Sequence, residues 1–142
     1  MKASFKSVAA GLTILLWHAA ACTSSTPVAP GDRVAEGAWG GLHVALTVTN
    51  GGAHVEFDCA SGDIANPIVM DGQGHFTADG VYLRGHPGPI AVGTDPDPQP
   101  AMYSGRVDGT AMTLDVLLTR SNQTIGPFAL TRGADARVNK CL

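Results

Sequence analysis

Leu42-His43-Val44-Ala45-Leu46-Thr47-Val48-Thr49-Asn50-Gly51-Gly52-Ala53-His54-Val55-Glu56-Phe57-Asp58-Cys59 alternates apolar and polar residues on either side of an Asn-Gly pair. A period of two is that of a half-buried strand. It puts Leu42, Val44, Leu46 and Val48 on one face, with His43, Ala45, Thr47 and Thr49 on the other. After the turn, Val55, Phe57 and Cys59 continue the inner face against His54, Glu56 and Asp58. Asn50-Gly51 predicts a type I′ hairpin, because both central residues of that turn must accept positive φ. Turning there sets Leu46 opposite Val55; turning at Gly51-Gly52 sets it opposite Phe57. The two registers differ by two residues and bury the same side chains.

Asp108-Gly109 predicts a second hairpin, between Ala101–Val107 and Thr110–Thr119. Pairing Val107 with Thr110 sets Gly105 against Met112, Tyr103 against Leu114 and Ala101 against Val116. Beyond it, Ile125–Thr131 turns Phe128 and Leu130 inward, with Pro127 at an edge or a bulge because it cannot donate to a ladder. Asp71-Gly72-Gln73-Gly74 leads into His75–Leu83, which places Phe76 and Tyr82 on one face. The stretch from His86 to Pro100 holds Pro87, Pro89, Pro96, Pro98 and Pro100, and reads as a loop or flap. No segment after the leader shows helical periodicity. The fold class is all-β: about five to eight antiparallel strands in a small meander barrel, with a β-sandwich as the alternative.

Outward from this domain, the N-terminus has the parts of a secretory signal. Lys2 and Lys6 precede an apolar run from Val8 to Trp17, and the small residues Ala19, Ala20 and Ala21 follow. That run is too short to span a bilayer. Residues 1–21 therefore read as a signal peptide, 22–36 as a flexible Ser/Thr/Pro/Ala tether, and 37–142 as a single β domain. The chain of 142 residues has room for one core. Its formal charge of −3 becomes more negative once the leader's lysines are removed, which deprives nucleic-acid binding of its electrostatic basis. Cys59 and Cys141 lack the spacing of a zinc or redox motif. In an oxidising compartment they pair as a disulfide, the alternative being two free thiols.

Ala19-Ala20-Ala21-Cys22 resembles a bacterial lipoprotein leader. The resemblance implies that Cys22 is acylated, with chains such as palmitate, and holds the protein in the cell envelope. The family prefers Leu where Ala19 stands, and ordinary cleavage after the alanines, giving a secreted or periplasmic protein, is the alternative. Gly37-Ala38-Trp39 resembles the opening of lipocalin and avidin-like barrels, in which the Trp plugs the closed end. Val55-Glu56-Phe57-Asp58-Cys59-Ala60, Tyr103-Ser104-Gly105 with Met112-Thr113-Leu114, and Lys140-Cys141-Leu142 together resemble a group of small secreted bacterial proteins. That likeness supports one domain and the Cys59–Cys141 pair, and it brings no activity with it.

The chemistry-bearing residues are sparse. His54, Glu56 and Asp58 share a strand face with His43 nearby, but successive same-face positions stand too far apart for one metal ion, and a solvated face is the simpler reading. Asp95 and Asp97 lack calcium-loop spacing. Ser104 lacks the Gly-x-Ser-x-Gly elbow of a hydrolase nucleophile. No catalytic residue, metal ligand or cofactor site is assigned. The functional expectation is a non-catalytic module that binds a small ligand through Tyr82, Tyr103 and the loop from Pro87 to Pro100. The alternative is a structural or interaction lipoprotein that meets another envelope protein through an apolar outer patch at Val81, Met102 and Leu117.

Overall fold

The computed structural model describes residues 29, 31–86, 88 and 97–141. The leader, Cys22 and most of the proline-rich stretch lie outside the described residues. Strands follow in chain order: β1 (Gly37–Gly41), β2 (Val44–Thr49), β3 (Gly52–Phe57), β4 (Ala60–Ile64), β5 (His75–Arg84), β6 (Gln99–Asp108), β7 (Ala111–Leu118) and β8 (Gln123–Arg132). Each pairs antiparallel with the next, and β8 returns to β1 through Trp39↔Arg132, Gly40↔Thr131 and Gly41↔Leu130. The result is a closed meander barrel of eight strands rather than a sandwich. Closure gives every strand a hydrogen-bonded neighbour on both sides.

Alternation sorts the side chains across the single wall. Trp39, Leu46, Val55, Tyr103, Leu114 and Val116 point inward and are at most 1% exposed, while His54, Asp63, Thr77, Asp79 and Thr113 lie exposed outside. Each fully buried apolar side chain contributes about 1.5–3 kcal/mol. A barrel this narrow is filled by its own residues, so large side chains need small ones opposite them. Tyr103 shows how. Its ring lies over two glycines: a Cβ on Gly80 would fall 2.8 Å from Cε2, and one on Gly62 would strike the hydroxyl. That hydroxyl donates to the Val81 carbonyl at 2.7 Å, which satisfies a group costly to bury unpaired.

Several local expectations change. Leu42 is not inward but 61% exposed, because the β1–β2 connection is the two-residue turn Leu42-His43, with His43 at φ 67°. The β2–β3 turn does fall at Asn50-Gly51, with Leu46 opposite Val55. Neither turn residue has positive φ, however, so the turn is not type I′; Gly52 takes φ 152° instead. Cys59 leaves the inner face of β3 for the β3–β4 turn, at φ 55°. β4 was unforeseen, since Ser61-Gly62-Asp63 has turn composition.

The second hairpin is shifted by two residues: Val107 pairs with Met112, Gly105 with Leu114, Tyr103 with Val116 and Ala101 with Leu118. Gly109 and Thr110 form its turn, with Gly109 at φ 60°. A glycine at the first central position suits a type II′ turn, which competes with the Asp-Gly reading. The faces survive the shift. Pro127 does sit in a bulge, where Gly126 and Pro127 oppose Asp115 alone.

The segments flanking the strands, residues 31–36 and 133–141, pack on the barrel. Gly31 N–H donates to Met70 O, Val34 and Ile68 are 2% and 3% exposed, and Trp39 Nε1 donates to Ala35 O. The packed body thus begins near Gly31, within the stretch expected as tether. At the other terminus, residues 133–141 form a strap across the outside of β1. A Cβ on Gly40 would collide with the strap backbone at Ala134, so a glycine is required at that crossing. The strap is held by Gly133 N–H to Ala38 O, Arg137 N–H to Gly41 O, and His43 N–H to Arg137 O. It ends at the Cys59–Cys141 disulfide, whose Cα atoms lie 4.9 Å apart.

Candidate functional site

Antiparallel order places the β1–β2, β3–β4, β5–β6 and β7–β8 connections at one end of the barrel, together with the disulfide. The opposite end is covered by residues 31–36 and 65–74, whose Val34, Ile68 and Met70 join the core. The disulfide end is the mouth. Its inward-facing residues follow from the ladders. Ala60 packs against the core and pairs with Arg84; Tyr82 pairs with Gln99; Leu118 pairs with Gln123. Arg84, Gln99 and Gln123 therefore stand on the rim, above a floor of Phe57, Tyr82 and Leu118.

That floor is aromatic at its centre. Phe57 lies between Tyr82 and Phe128, with ring centroids 5.6 and 5.3 Å away and both pairs tilted, a favourable arrangement for π-systems. Burial raises the pKa of the Tyr82 hydroxyl, and the charge of Arg84 opposes that shift. Burial, with smaller contributions from Asp63 and Tyr82, raises the pKa of Tyr103 further and keeps it a neutral donor.

The two expected binding tyrosines thus occupy different depths. Tyr82 forms the floor of the mouth, whereas Tyr103 is 0% exposed beneath it with its hydroxyl already committed. The expected third element, Pro87 to Pro100, lies mostly outside the described residues, and its C-terminal part belongs to β6. Arg84, Gln99 and Gln123 were missed. Parity along β5 was the available signal for Arg84, since it continues the face of Phe76 and Tyr82.

Beside the mouth runs a groove of about 410 Å³ lined by His54, Glu56, Ser61, His86, Lys140 and the disulfide. Lys140 Nζ meets Glu56 Oε1 at 2.8 Å, and His54 Nδ1 donates to Asp63 Oδ1 at 2.7 Å. His54 and Asp63 do converge across β3 and β4, but their side chains are 50% and 64% exposed. Such a pair is screened by water and is worth little. Among the described residues no group of three or more His, Cys, Asp or Glu could hold a metal ion. On the outer wall, Met102 pairs with Leu117 and Val81 with Pro100, so the apolar residues expected to face outward adjoin one another; Val81 is 39% exposed.

Asp58 ties the strap to the mouth. Its Oδ1 accepts Asn139 N–H at 2.7 Å, and its Oδ2 accepts Asn139 Nδ2 at 3.2 Å and His43 Nδ1. The Asn139 backbone bond is the largest of the effects that lower its carboxyl pKa below the ordinary value of 3.8. A lowered folded pKa contributes stability at pH above 3.8, and that contribution is lost as pH falls through the folded value. We predict that hydrogen exchange at the Asn139 amide loses protection on acidification through this window, and that Asp58→Asn abolishes the acid dependence. An unchanged profile in Asp58→Asn would reject the assignment.

Comparison of the chain with protein-family models, curated proteins and solved structures finds no match.

Proposed function

We propose that this is an exported envelope protein, anchored by lipid on Cys22, whose barrel binds a small ligand without catalysis at the mouth beside the disulfide. The observation that carries the reading is the make-up of that mouth. Phe57, Tyr82 and Leu118 form the last buried level at that end, and strand register sets Arg84, Gln99 and Gln123 at inward-facing positions just beyond them, so a few polar residues border an apolar interior as they do in ligand sites. The wall itself supports attachment through an added lipid. Its apolar residues face inward and its polar ones outward, the reverse of a barrel that spans a bilayer. Non-catalysis is supported by the fate of the candidate acids and bases: Glu56 is held by Lys140, and the His54–Asp63 pair stands open to solvent.

A second reading, contact with another envelope protein, is favoured by the apolar cluster of Val81, Met102 and Leu117 on the outer wall. Mass spectrometry of protein taken from its native envelope, run under native and denaturing conditions, separates the two. The expected result is a denatured mass showing cleavage before Cys22 plus acyl chains, and a heavier native species carrying a ligand. Equal native and denatured masses would reject the ligand reading in favour of the outer patch. Cys22→Ser is expected to shift the protein from membrane to soluble fractions, and an unchanged distribution would overturn the anchor.

A further inference from the structure

We propose that the Cys59–Cys141 bridge is a redox latch on the C-terminal strap: a dithiol that opens it releases residues 137–141, and with them the β1–β2 and β3–β4 turns, while the barrel stays closed. The latch goes beyond the reading of the mouth as a ligand site and stands whether or not a ligand is held there.

Among the described residues three non-glycines have positive φ: His43 in the β1–β2 turn, Cys59 in the β3–β4 turn and Asn122 in the β7–β8 turn. Asparagine adopts that conformation at little cost, whereas cysteine, and to a lesser degree histidine, needs surroundings that enforce it. The strap supplies them. Two of its carbonyls, Arg137 O and Asn139 O, accept the N–H groups of His43 at 2.7 Å and of Cys59 at 3.2 Å. The Asp58 carboxylate joins the same elements, accepting from His43 Nδ1, from Asn139 N–H and from Asn139 Nδ2. One short segment therefore holds both turns.

What holds that segment is mainly covalent. None of residues 133–141 is fully buried, and only Val138 and Cys141 are half-buried. With so little apolar surface covered, the entropy lost on ordering the strap is opposed by exposed hydrogen bonds and the Lys140–Glu56 ion pair, which return little in water. The bridge fixes the far end beside Cys59 and so removes much of that entropy in advance. The root of the strap depends on it less, because it continues β8 and bonds Gly133 N–H to Ala38 O. Release is thus confined to the far end, and the barrel's own ladders lie outside it.

The bridge is also within reach of a reductant. Cys59 and Cys141 are both half-buried and line the groove of about 410 Å³ beside the mouth. A thiolate of the dithiol attacks one sulfur and displaces the other, and its second thiol then resolves the mixed disulfide. The reductant leaves as a disulfide, and Cys59 and Cys141 take up its two electrons and two protons as free thiols.

The test uses the full chain carrying Cys22→Ser, treated with dithiothreitol under native conditions and followed by backbone amide order parameters, with the extent of reduction read by mass after alkylation of a sample. In the oxidised protein the strap and both turns are expected at about 0.85, like the strands. On reduction, residues 137–141, His43 and Cys59 are expected to fall below about 0.6, while Val55, Tyr103, Leu114 and Asn122 keep their values. Cys141→Ser should reproduce the reduced pattern without reductant. A strap that stays rigid once both thiols are free, a loss of order that spreads through the strands, or a bridge that dithiothreitol opens only after denaturation would each overturn the latch.

Discussion

Replacing Cys141 with Ser lowers the free energy of unfolding by about 4.5 kcal/mol in the chain-entropy description of a crosslink of this span. The two cysteines are 82 residues apart, so the bridge encloses most of the barrel and removes a large share of the freedom of the unfolded chain. For a small domain, that is a large part of the stability it has. Urea denaturation of wild type and Cys141→Ser checks the value. Coincident midpoints for wild type under oxidising and reducing conditions would count against a structural role. The same variant should loosen the strap locally, since its end would then be held by Asp58–Asn139, Glu56–Lys140 and the Cys59 N–H bond to Asn139 O without the covalent link.

The second large effect is expected at the centre of the core. Tyr103→Ala removes a wholly buried ring and leaves a cavity over Gly62 and Gly80, at a cost of about 3–5 kcal/mol. Gly62→Ala in the wild type drives a methyl group into the Tyr103 hydroxyl and against Val81 O, so the β4–β5 ladder must give way. That overpacking costs about 1–3 kcal/mol. In the Tyr103→Ala background the first of those obstacles is gone, so the same glycine substitution should cost less. A double-mutant cycle reads the difference as a coupling energy of about 1 kcal/mol or more. Strict additivity would mean that the ring and the glycine do not share the space assigned to them.

The architecture was more legible than its registers. Period-two alternation at Val44–Val48 and Val55–Phe57 is a direct imprint of a wall with one dry side, so the all-β class and the inner faces could be read from it. Turn chemistry decides the register, and there competing solutions share the same residues. Asp108-Gly109 and Gly109-Thr110 both make acceptable turns, and the two choices bury identical side chains. β4 escaped notice because its inward residue must be small to admit Tyr103, which leaves Ser61-Gly62-Asp63 with no apolar alternation to see. The mouth was hidden for a related reason. Arg84, Gln99 and Gln123 are distant in sequence and adopt one rim only through the pairing of β4 with β5, β5 with β6, and β7 with β8. Tyr82 could be found from parity alone, but not its depth relative to Tyr103.

The β1–β8 ladder stands apart kinetically. Every other pairing joins strands adjacent in the chain, so each can form as a hairpin or short loop closes, at small entropic cost. The pairing of Trp39 with Arg132 must instead bring together residues from opposite ends of the domain, and it yields only three residue pairs in return. The long-range search of folding is therefore concentrated at one short seam. The strap lies across β1 along that seam, and the disulfide fastens its end. Until the seam shuts, β1 and β8 are open strand edges, and a second unfolded copy can compete for them; once it shuts, every strand has a neighbour on both sides and such exchange has little edge at which to begin.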